Sequence, residues 1–194
     1  HDVELSQTTD VADHPELDLQ LVVGASAVLD RYGNVVDLIE REGFSPVARI
    51  HMLIEGETPA TMAKSTGLGL IELAGVFEQS RPDVVLTVGD RFETMATTLA
   101  AAYMNIPIAH TMGGEVSGTI DESIRHAVTK FAHIHFPASK EAAERIIKLG
   151  EPPETVHLVG CPRIDLVADI LRAASNGIDE HLFDLGVGSK LDLS

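Results

Sequence analysis

Cysteine, tryptophan and long apolar runs are scarce or absent in this sequence of 194 residues. The single cysteine, Cys161, has no partner for a disulfide within the chain, which favours a reducing compartment. No stretch approaches the roughly 18 uninterrupted apolar residues of a membrane span, and the acidic N-terminus is unlike a signal peptide. We therefore expect a cytoplasmic protein that does not enter the membrane.

Aromatic and basic residues are also few. Aromatic residues make up 4% of the chain, so the core must consist mainly of Val, Ile, Leu and Ala. Fourteen Lys and Arg residues face thirty Asp and Glu residues, for a net charge of -16. Such a surface repels nucleic acid and anionic membranes, although the excess of acids also simply favours solubility. A phosphate-bearing ligand would be held locally, by helix N-termini and a few basic side chains.

Short β-branched runs alternate with longer helical patterns along the chain. The predicted strands are 17–23, 47–54, 83–88, 106–111, 133–137 and 155–159, and the predicted helices are 34–42, 58–80, 91–104, 121–132, 139–149 and 162–174. This alternation predicts an α/β fold: a Rossmann-like, doubly wound parallel sheet with right-handed crossovers. The runs at 83–88 and 106–111 are almost continuously apolar, as in strands covered on both faces. We assign 14–172 to this domain and 173–194 to a tail or linker.

The predicted helix 121–132 has an apolar stripe. Its residues Ile124, Val128 and Phe131 follow the spacing i, i+4, i+7, which predicts that this face is buried. Arg125 and His126 are then expected on the other face.

Three groups of polar residues follow predicted strands, where parallel sheets collect their ligands. They are Gly89-Asp90-Arg91, Gly113-Gly114-Glu115 and Asp121-Glu122. Each has an ordinary structural explanation: a helix N-cap for Asp90, a plain turn for the glycines, and the helix dipole for the last pair. Their convergence on one edge nevertheless favours a site, because carboxylates held close together become acids and bases near neutral pH.

The histidines are ambiguous candidates. His110 lies in a predicted buried strand and is either a core residue or a crevice residue. His133 and His135 are expected to share a strand face, but no Cys or carboxylate stands at ligand spacing, so we predict no metal site. His126 could contact phosphate or orient a carboxylate. Motifs of P-loop nucleotidases and α/β-hydrolases are absent, and the glycines of 66–70 lie in a helical pattern that favours helix packing.

The run GDRFETMATTLAAAYMNIPIAHTMGGEVSGTIDESIRHAVTKFAHIHFPAS resembles the hydrolysing UDP-N-acetylglucosamine 2-epimerases of sialic-acid synthesis, including the epimerase half of the bifunctional animal enzyme. Its most specific part is GGEVSGTIDESIRHAVTK. Non-hydrolysing epimerases resemble it less, with a shorter loop in place of 113–118. Weaker likeness at 30–40, 56–70 and 158–165 extends the resemblance over about 14–172.

This resemblance implies one half of a two-domain, GT-B-like enzyme with its active site between the domains. A base would remove the C2 proton of the sugar while the C1–O bond to UDP breaks, and the resulting 2-acetamidoglucal would take up water. The products would be N-acetylmannosamine and UDP, formed without a metal or nicotinamide cofactor. The implied catalytic residues are Asp90, Glu115, Asp121 and Glu122. The expected substrate-binding residues are Arg91, Gly113, Gly114, Ser117, Arg125 and His126.

Two departures from the family affect these expectations. Members begin with an apolar strand and a Gly-Thr-Arg-type loop that residues 1–13 do not match, and they continue into a second domain that contacts UDP. We therefore expect little activity from these residues alone, and a homo-oligomer as in other members. The alternatives are a hydrolysing epimerase for another UDP-sugar of legionaminic-acid synthesis, a non-hydrolysing epimerase, or a non-catalytic fragment that binds sugar nucleotides.

Overall fold

A computed structural model describes residues 11–56, 58–161, 164–165 and 167–168. Its strands are β1 (Val22–Gly24), β2 (Ala48–Ile50), β3 (Val85–Val88), β4 (Ile108–Thr111) and β5 (Ile134–Phe136). Its α-helices are α1 (Val35–Arg41), α2 (Pro59–Ser80), α3 (Phe92–Tyr103), α4 (Ile120–Phe131) and α5 (Lys140–Lys148). Short 3-10 turns occupy Ala25–Val28, Asp30–Tyr32 and Pro153–Thr155.

The chain divides into two compact units, His1–Gly160 and Cys161–Ser194. All the elements just named belong to the first unit. Most of the second, including the predicted tail at 173–194, lies outside the described residues. No helix in the described part of the chain has the length and apolar character needed to cross a bilayer.

All strand pairs are parallel, as the alternation of strands and helices predicts. β1 pairs with β2, and a second sheet has the order β3-β4-β5. The predicted strand at 155–159 is reduced to a single bridge between His135 and Val156, followed by a hydrogen bond from the His157 amide to the His135 carbonyl (2.8 Å). The α/β prediction is therefore confirmed.

The larger hydrophobic core is mainly aliphatic, as the composition predicts, with Phe77 and Phe92 as its buried aromatic residues, and it lies around α2, α3 and the second sheet. Small residues let the two helices approach each other, since Ala96 and Ala101 are completely buried. A Cβ atom at Gly69 would lie 2.5 Å from Met52 Cε and 3.0 Å from Ala96 Cβ. Gly69 therefore serves close packing within a helix, as the pattern at 66–70 predicts.

The two apolar strands differ in their environment. β4 is buried at all four residues, in agreement with the prediction, but β3 alternates between buried and exposed positions. The prediction that 83–88 is covered on both faces is wrong, because Leu86 and Val88 are 43% and 37% exposed.

The predicted apolar stripe of α4 is only partly correct. Val128 is completely buried, but Phe131 is 40% exposed, while Arg125 and Thr129 are buried. The prediction that Arg125 lies on the outer face is therefore wrong. The helix turns this guanidinium inwards because partners for it lie there, as described below.

The ambiguity of His110 is resolved in favour of the core. Its ring is completely buried, next to His135 on the neighbouring strand, and Nε2 lies 2.9 Å from the Gly89 carbonyl oxygen. Burial lowers the pKa of His110 to about 4, although the Gly89 contact opposes this shift. His133 is exposed, directly precedes β5 and accepts the Ile108 amide through Nδ1 (3.2 Å), and that it shares a face with His135 stays a prediction.

We predict that the fold loses stability in acid through His110. Below about pH 6.5, the unfolded chain binds a proton at this histidine that the folded chain excludes until about pH 4. The free energy of unfolding should therefore fall between pH 7 and pH 4, by up to about 3 kcal/mol from this residue. Urea unfolding at several pH values measures the slope.

His110→Gln should flatten that slope, and the same change at exposed His51 is the control. Parallel curves for the wild type and His110→Gln would contradict the assignment. Burial also lowers the pKa of His135, so the variant should keep a smaller dependence of the same sign.

Candidate active site

A buried ion pair lies at the carboxyl end of β3. Asp90 follows Gly89, whose φ of 85° turns the chain sharply after the strand. The Asp90 carboxylate binds the Arg125 guanidinium of α4, and the two side chains are only 22% and 10% exposed. Asp90 is not the N-cap of α3, because Arg91 holds that position and makes no side-chain cap hydrogen bond. The carboxylate therefore serves the ion pair.

Arg125 also reaches the loop that follows β4. Its Nη1 donates to the Glu115 carbonyl oxygen at 2.7 Å, while Nη2 contacts Asp90. A guanidinium can do this because its five N–H donors are fixed in one plane. One buried cation thus joins the end of β3, the loop after β4 and helix α4, and it brings two of the predicted catalytic residues to the same edge.

The Glu115 side chain points towards α5. Its Oε1 accepts a hydrogen bond from Ser139 Oγ at 3.1 Å. Arg145, farther along the same helix, donates to the Gly114 carbonyl. The loop that carries Glu115 is therefore attached to α5 by both a side-chain and a main-chain contact.

Gly113 and Gly114 pack against protein atoms on the sides where a Cβ would stand. Gly114 has a φ of 80°, and a Cβ there would overlap the main chain of Ala142, at 2.9 Å from its carbonyl carbon. At Gly113, a Cβ would lie 3.0 Å from His110 Nδ1 and 3.1 Å from Thr129 Oγ1. The two glycines therefore allow β4, α4 and α5 to approach the loop, and a direct contact between them and a ligand stays a prediction.

Glu122 closes the loop before α4. Its Oε2 accepts the main-chain N–H groups of Ser117 (2.8 Å) and Gly118 (2.6 Å). These two hydrogen bonds lower the pKa of Glu122. Its Oε1 lies 3.9 Å from His126 Nε2. A carboxylate engaged in this way supports the loop, whereas a catalytic role for it stays a prediction.

Asp121, one residue earlier, does not bind the loop amides as Glu122 does. Thr119 caps the helix by accepting the Asp121 amide at 3.3 Å. The Asp121 carboxylate accepts no hydrogen bond from the described residues. Its negative charge raises the pKa of Glu93, in the first turn of α3.

Glu93 is not among the site residues predicted from the sequence. This carboxyl group lies in the first turn of α3, is 27% exposed, and has a buried Oε2 without a hydrogen-bond partner among the described residues. Desolvation raises the pKa of Glu93. Its own main-chain N–H and Arg91, whose Nε is 3.6 Å away, oppose this shift, and the charge of Asp121 adds to it. Its spacing of three residues from Asp90 is the signal that could have identified it.

Other predicted positions are less closely engaged. Arg91 and Ser117 are exposed, and His126 is partly buried. Within the described ranges, no three His, Cys, Asp or Glu side chains are arranged to hold a metal ion.

Comparison with known proteins identifies the family. Residues 9–185 match the family model described as UDP-N-acetylglucosamine 2-epimerase. The chain belongs to this family. The predicted family is therefore confirmed.

Two curated relatives show how far the family likeness extends. The UDP-N,N'-diacetylbacillosamine 2-epimerase (hydrolyzing) of Legionella pneumophila is 41% identical over 150 residues, which cover 77% of this chain and 40% of the relative. The UDP-N-acetylglucosamine 2-epimerase of Neisseria meningitidis is 31% identical over 171 residues, covering 88% of this chain and 45% of the relative. The chain thus spans less than half the length of these epimerases.

Solved structures of family members share the fold. A UDP-GlcNAc 2-epimerase from Methanocaldococcus jannaschii superposes with a TM-score of 0.75 at 19% identity, covering 97% of this chain and 50% of that structure. The Neisseria meningitidis enzyme bound to UDP-GlcNAc gives a TM-score of 0.73 at 18% identity, with coverage of 92% and 48%. These matches, each covering about half of the solved chain, confirm the predicted Rossmann-like fold.

We predict that Gly114→Ala is far more disruptive than an alanine at an unpacked glycine. Gly33 has a similar φ of 85° but no atom within 4 Å of an added Cβ, so Gly33→Ala should cost only the left-handed strain, about 1–2 kcal/mol. Gly114→Ala adds overlap with the Ala142 main chain and should cost at least about 3 kcal/mol. Urea unfolding measures both losses, and equal losses would contradict the packing argument.

Proposed function

We propose that this chain forms the carboxylate-bearing part of a hydrolysing UDP-N-acetylglucosamine 2-epimerase. The observation that carries the proposal is that one buried guanidinium, that of Arg125, binds both the Asp90 carboxylate and the main-chain carbonyl of Glu115. Asp121 begins the helix that supplies this arginine. Carboxylates that follow β3 and β4 and that begin α4 suit a reaction that moves several protons and needs no redox change.

The proposed reaction consumes one water molecule. A carboxylate removes the C2 proton while the C1–O bond breaks, and UDP departs with the electron pair of that bond. Water then adds to C1 of the 2-acetamidoglucal, and C2 receives a proton on the opposite face. The products are N-acetylmannosamine and UDP. Asp90, Glu115 and Asp121 share the proton transfers, and Arg125 holds the Asp90 carboxylate and the main chain at Glu115 in place.

Two observations favour the hydrolysing branch over the non-hydrolysing one. The loop 113–118 has the length and sequence that resemble hydrolysing enzymes, and in the structure it is closed by Glu122 through the Ser117 and Gly118 amides. The relative from Legionella pneumophila, at 41% identity, is itself named as a hydrolysing epimerase.

A second candidate substrate is UDP-N,N'-diacetylbacillosamine. It is favoured by the higher identity to the Legionella pneumophila relative (41%) than to the Neisseria meningitidis one (31%). Both sugars have an acetamido group at C2 and UDP at C1, so the same carboxylates serve both. The discrimination would depend on contacts with C4 and C6.

The proposal extends to a cytoplasmic homo-oligomer. Ile71 of α2 and Tyr103 of α3, two helices that pack together, are 69% and 80% exposed. Association through these helices would remove both side chains from water.

Proton NMR in D₂O tests the reaction and the sugar together. The full product of the gene should convert UDP-N-acetylglucosamine, supplied in one sample, into UDP and N-acetylmannosamine deuterated at C2. UDP-N,N'-diacetylbacillosamine in a second sample tests the other candidate. The 194-residue chain alone should show little turnover.

The products distinguish the alternatives. Formation of UDP-N-acetylmannosamine would assign the non-hydrolysing branch. Turnover of UDP-N,N'-diacetylbacillosamine alone would identify it as the substrate in place of UDP-N-acetylglucosamine. No turnover of either by the full product would contradict the proposed function.

Replacing Asp90 tests the carboxylates themselves. Asp90→Asn keeps a polar partner for Arg125 but removes one of the carboxylates that share the proton transfers, so kcat should fall at least about 100-fold. Glu40→Gln is the control, because Glu40 forms a half-exposed ion pair with Arg49 and its replacement should leave kcat unchanged. A sugar-nucleotide-binding protein without activity would instead show no turnover before the substitution and similar ligand affinity after it.

A further inference from the structure

Ser139 makes two hydrogen bonds at the start of α5. As the N-cap residue, its Oγ accepts the Ala142 amide at 3.2 Å. The same oxygen lies 3.1 Å from Glu115 Oε1. An N-cap explains the first contact but not the second, which joins residues 24 positions apart.

The direction of these two bonds follows from the hydroxyl group. A serine hydroxyl has one proton to donate, and the Ala142 N–H already donates to its oxygen. The proton is therefore free to point at Glu115 Oε1, which accepts it. The result is a chain of donors that runs from the main chain of α5 to the carboxylate.

The surroundings keep Ser139 and Glu115 in register. Arg145 donates to the carbonyl of Gly114, which directly precedes Glu115, and Gly114 packs on the Ala142 main chain. Neither helix nor loop can shift without disturbing these contacts. Glu115 Oε2 has no hydrogen-bond partner among the described residues, so it is the oxygen left to meet a substrate.

We propose that Ser139 is a positioning residue, whose hydroxyl holds the Glu115 carboxylate in the orientation that the epimerase reaction needs. This inference rests on the proposed function. It predicts that kcat depends on the hydrogen bond that residue 139 donates to Glu115. The helix cap, by contrast, depends only on the hydrogen bond that this residue accepts from the Ala142 amide.

Four variants of the full gene product separate these two roles. Ser139→Thr keeps donor and cap, and it should keep kcat within about threefold. Ser139→Ala loses both, so the unfolding temperature and kcat should both fall. Ser139→Asp is as good a cap as serine, but it cannot donate to Glu115 and brings a like charge next to it. Because the cap is kept, it should unfold at a temperature no lower than Ser139→Ala does, while kcat falls at least tenfold and KM stays within about twofold.

Thr58→Ala provides the matched control. Thr58 caps α2 in a capping box, is exposed, and contacts none of the acids. This variant should lower the unfolding temperature without changing kcat, which would show that cap loss alone does not reduce the rate.

The Ser139→Asp variant decides the outcome. Wild-type kcat in this variant would overturn the positioning role. If the wild type converts neither UDP-sugar, the proposed function has failed, and a crystal structure of Ser139→Asp then tests the positioning alone. We expect the Glu115 carboxylate to move away from residue 139, and an unmoved carboxylate would overturn the inference.

Discussion

The structure depends most on a positive charge that is nearly hidden from water. A guanidinium that is 10% exposed is costly unless its donors are satisfied, and Arg125 satisfies them with Asp90 and with the Glu115 carbonyl. Removing either partner would leave guanidinium N–H donors without an acceptor in a place that water hardly reaches, which destabilises the fold. The end of β3, the loop after β4 and α4 therefore hold one another in place through this residue.

The sheet was predictable because its signal is local. Alternating β-branched and helical runs are visible within about ten residues, and parallel pairing follows from that alternation. The exposure of Leu86 and Val88 was not predictable in the same way, because it depends on which elements cover β3. The same limit applies to α4, where the apolar spacing identifies Val128 but cannot show that Arg125 finds its partners inside.

In the candidate site, too, local features were predictable from the sequence and distant contacts were not. Its acids could be located from their positions after strands, since the carboxyl ends of parallel strands meet at one edge. Their individual partners could not. The contact of Ser139 with Glu115 crosses 24 positions and that of Arg125 with Asp90 crosses 35, and neither leaves a local pattern. Glu122 was selected for its charge, whereas the structure shows its carboxylate binding the amides of its own loop.

The contact between Gly114 and Ala142 has a consequence for sequence variation in such proteins. It is formed by main-chain atoms, so no side chain at either position can compensate for a change at the other. Asp90 and Arg125, by contrast, meet through their side chains, and a change in one alters what the other requires. Covariation between positions would therefore reveal the ion pair and miss the glycine contact, although both join distant parts of the chain.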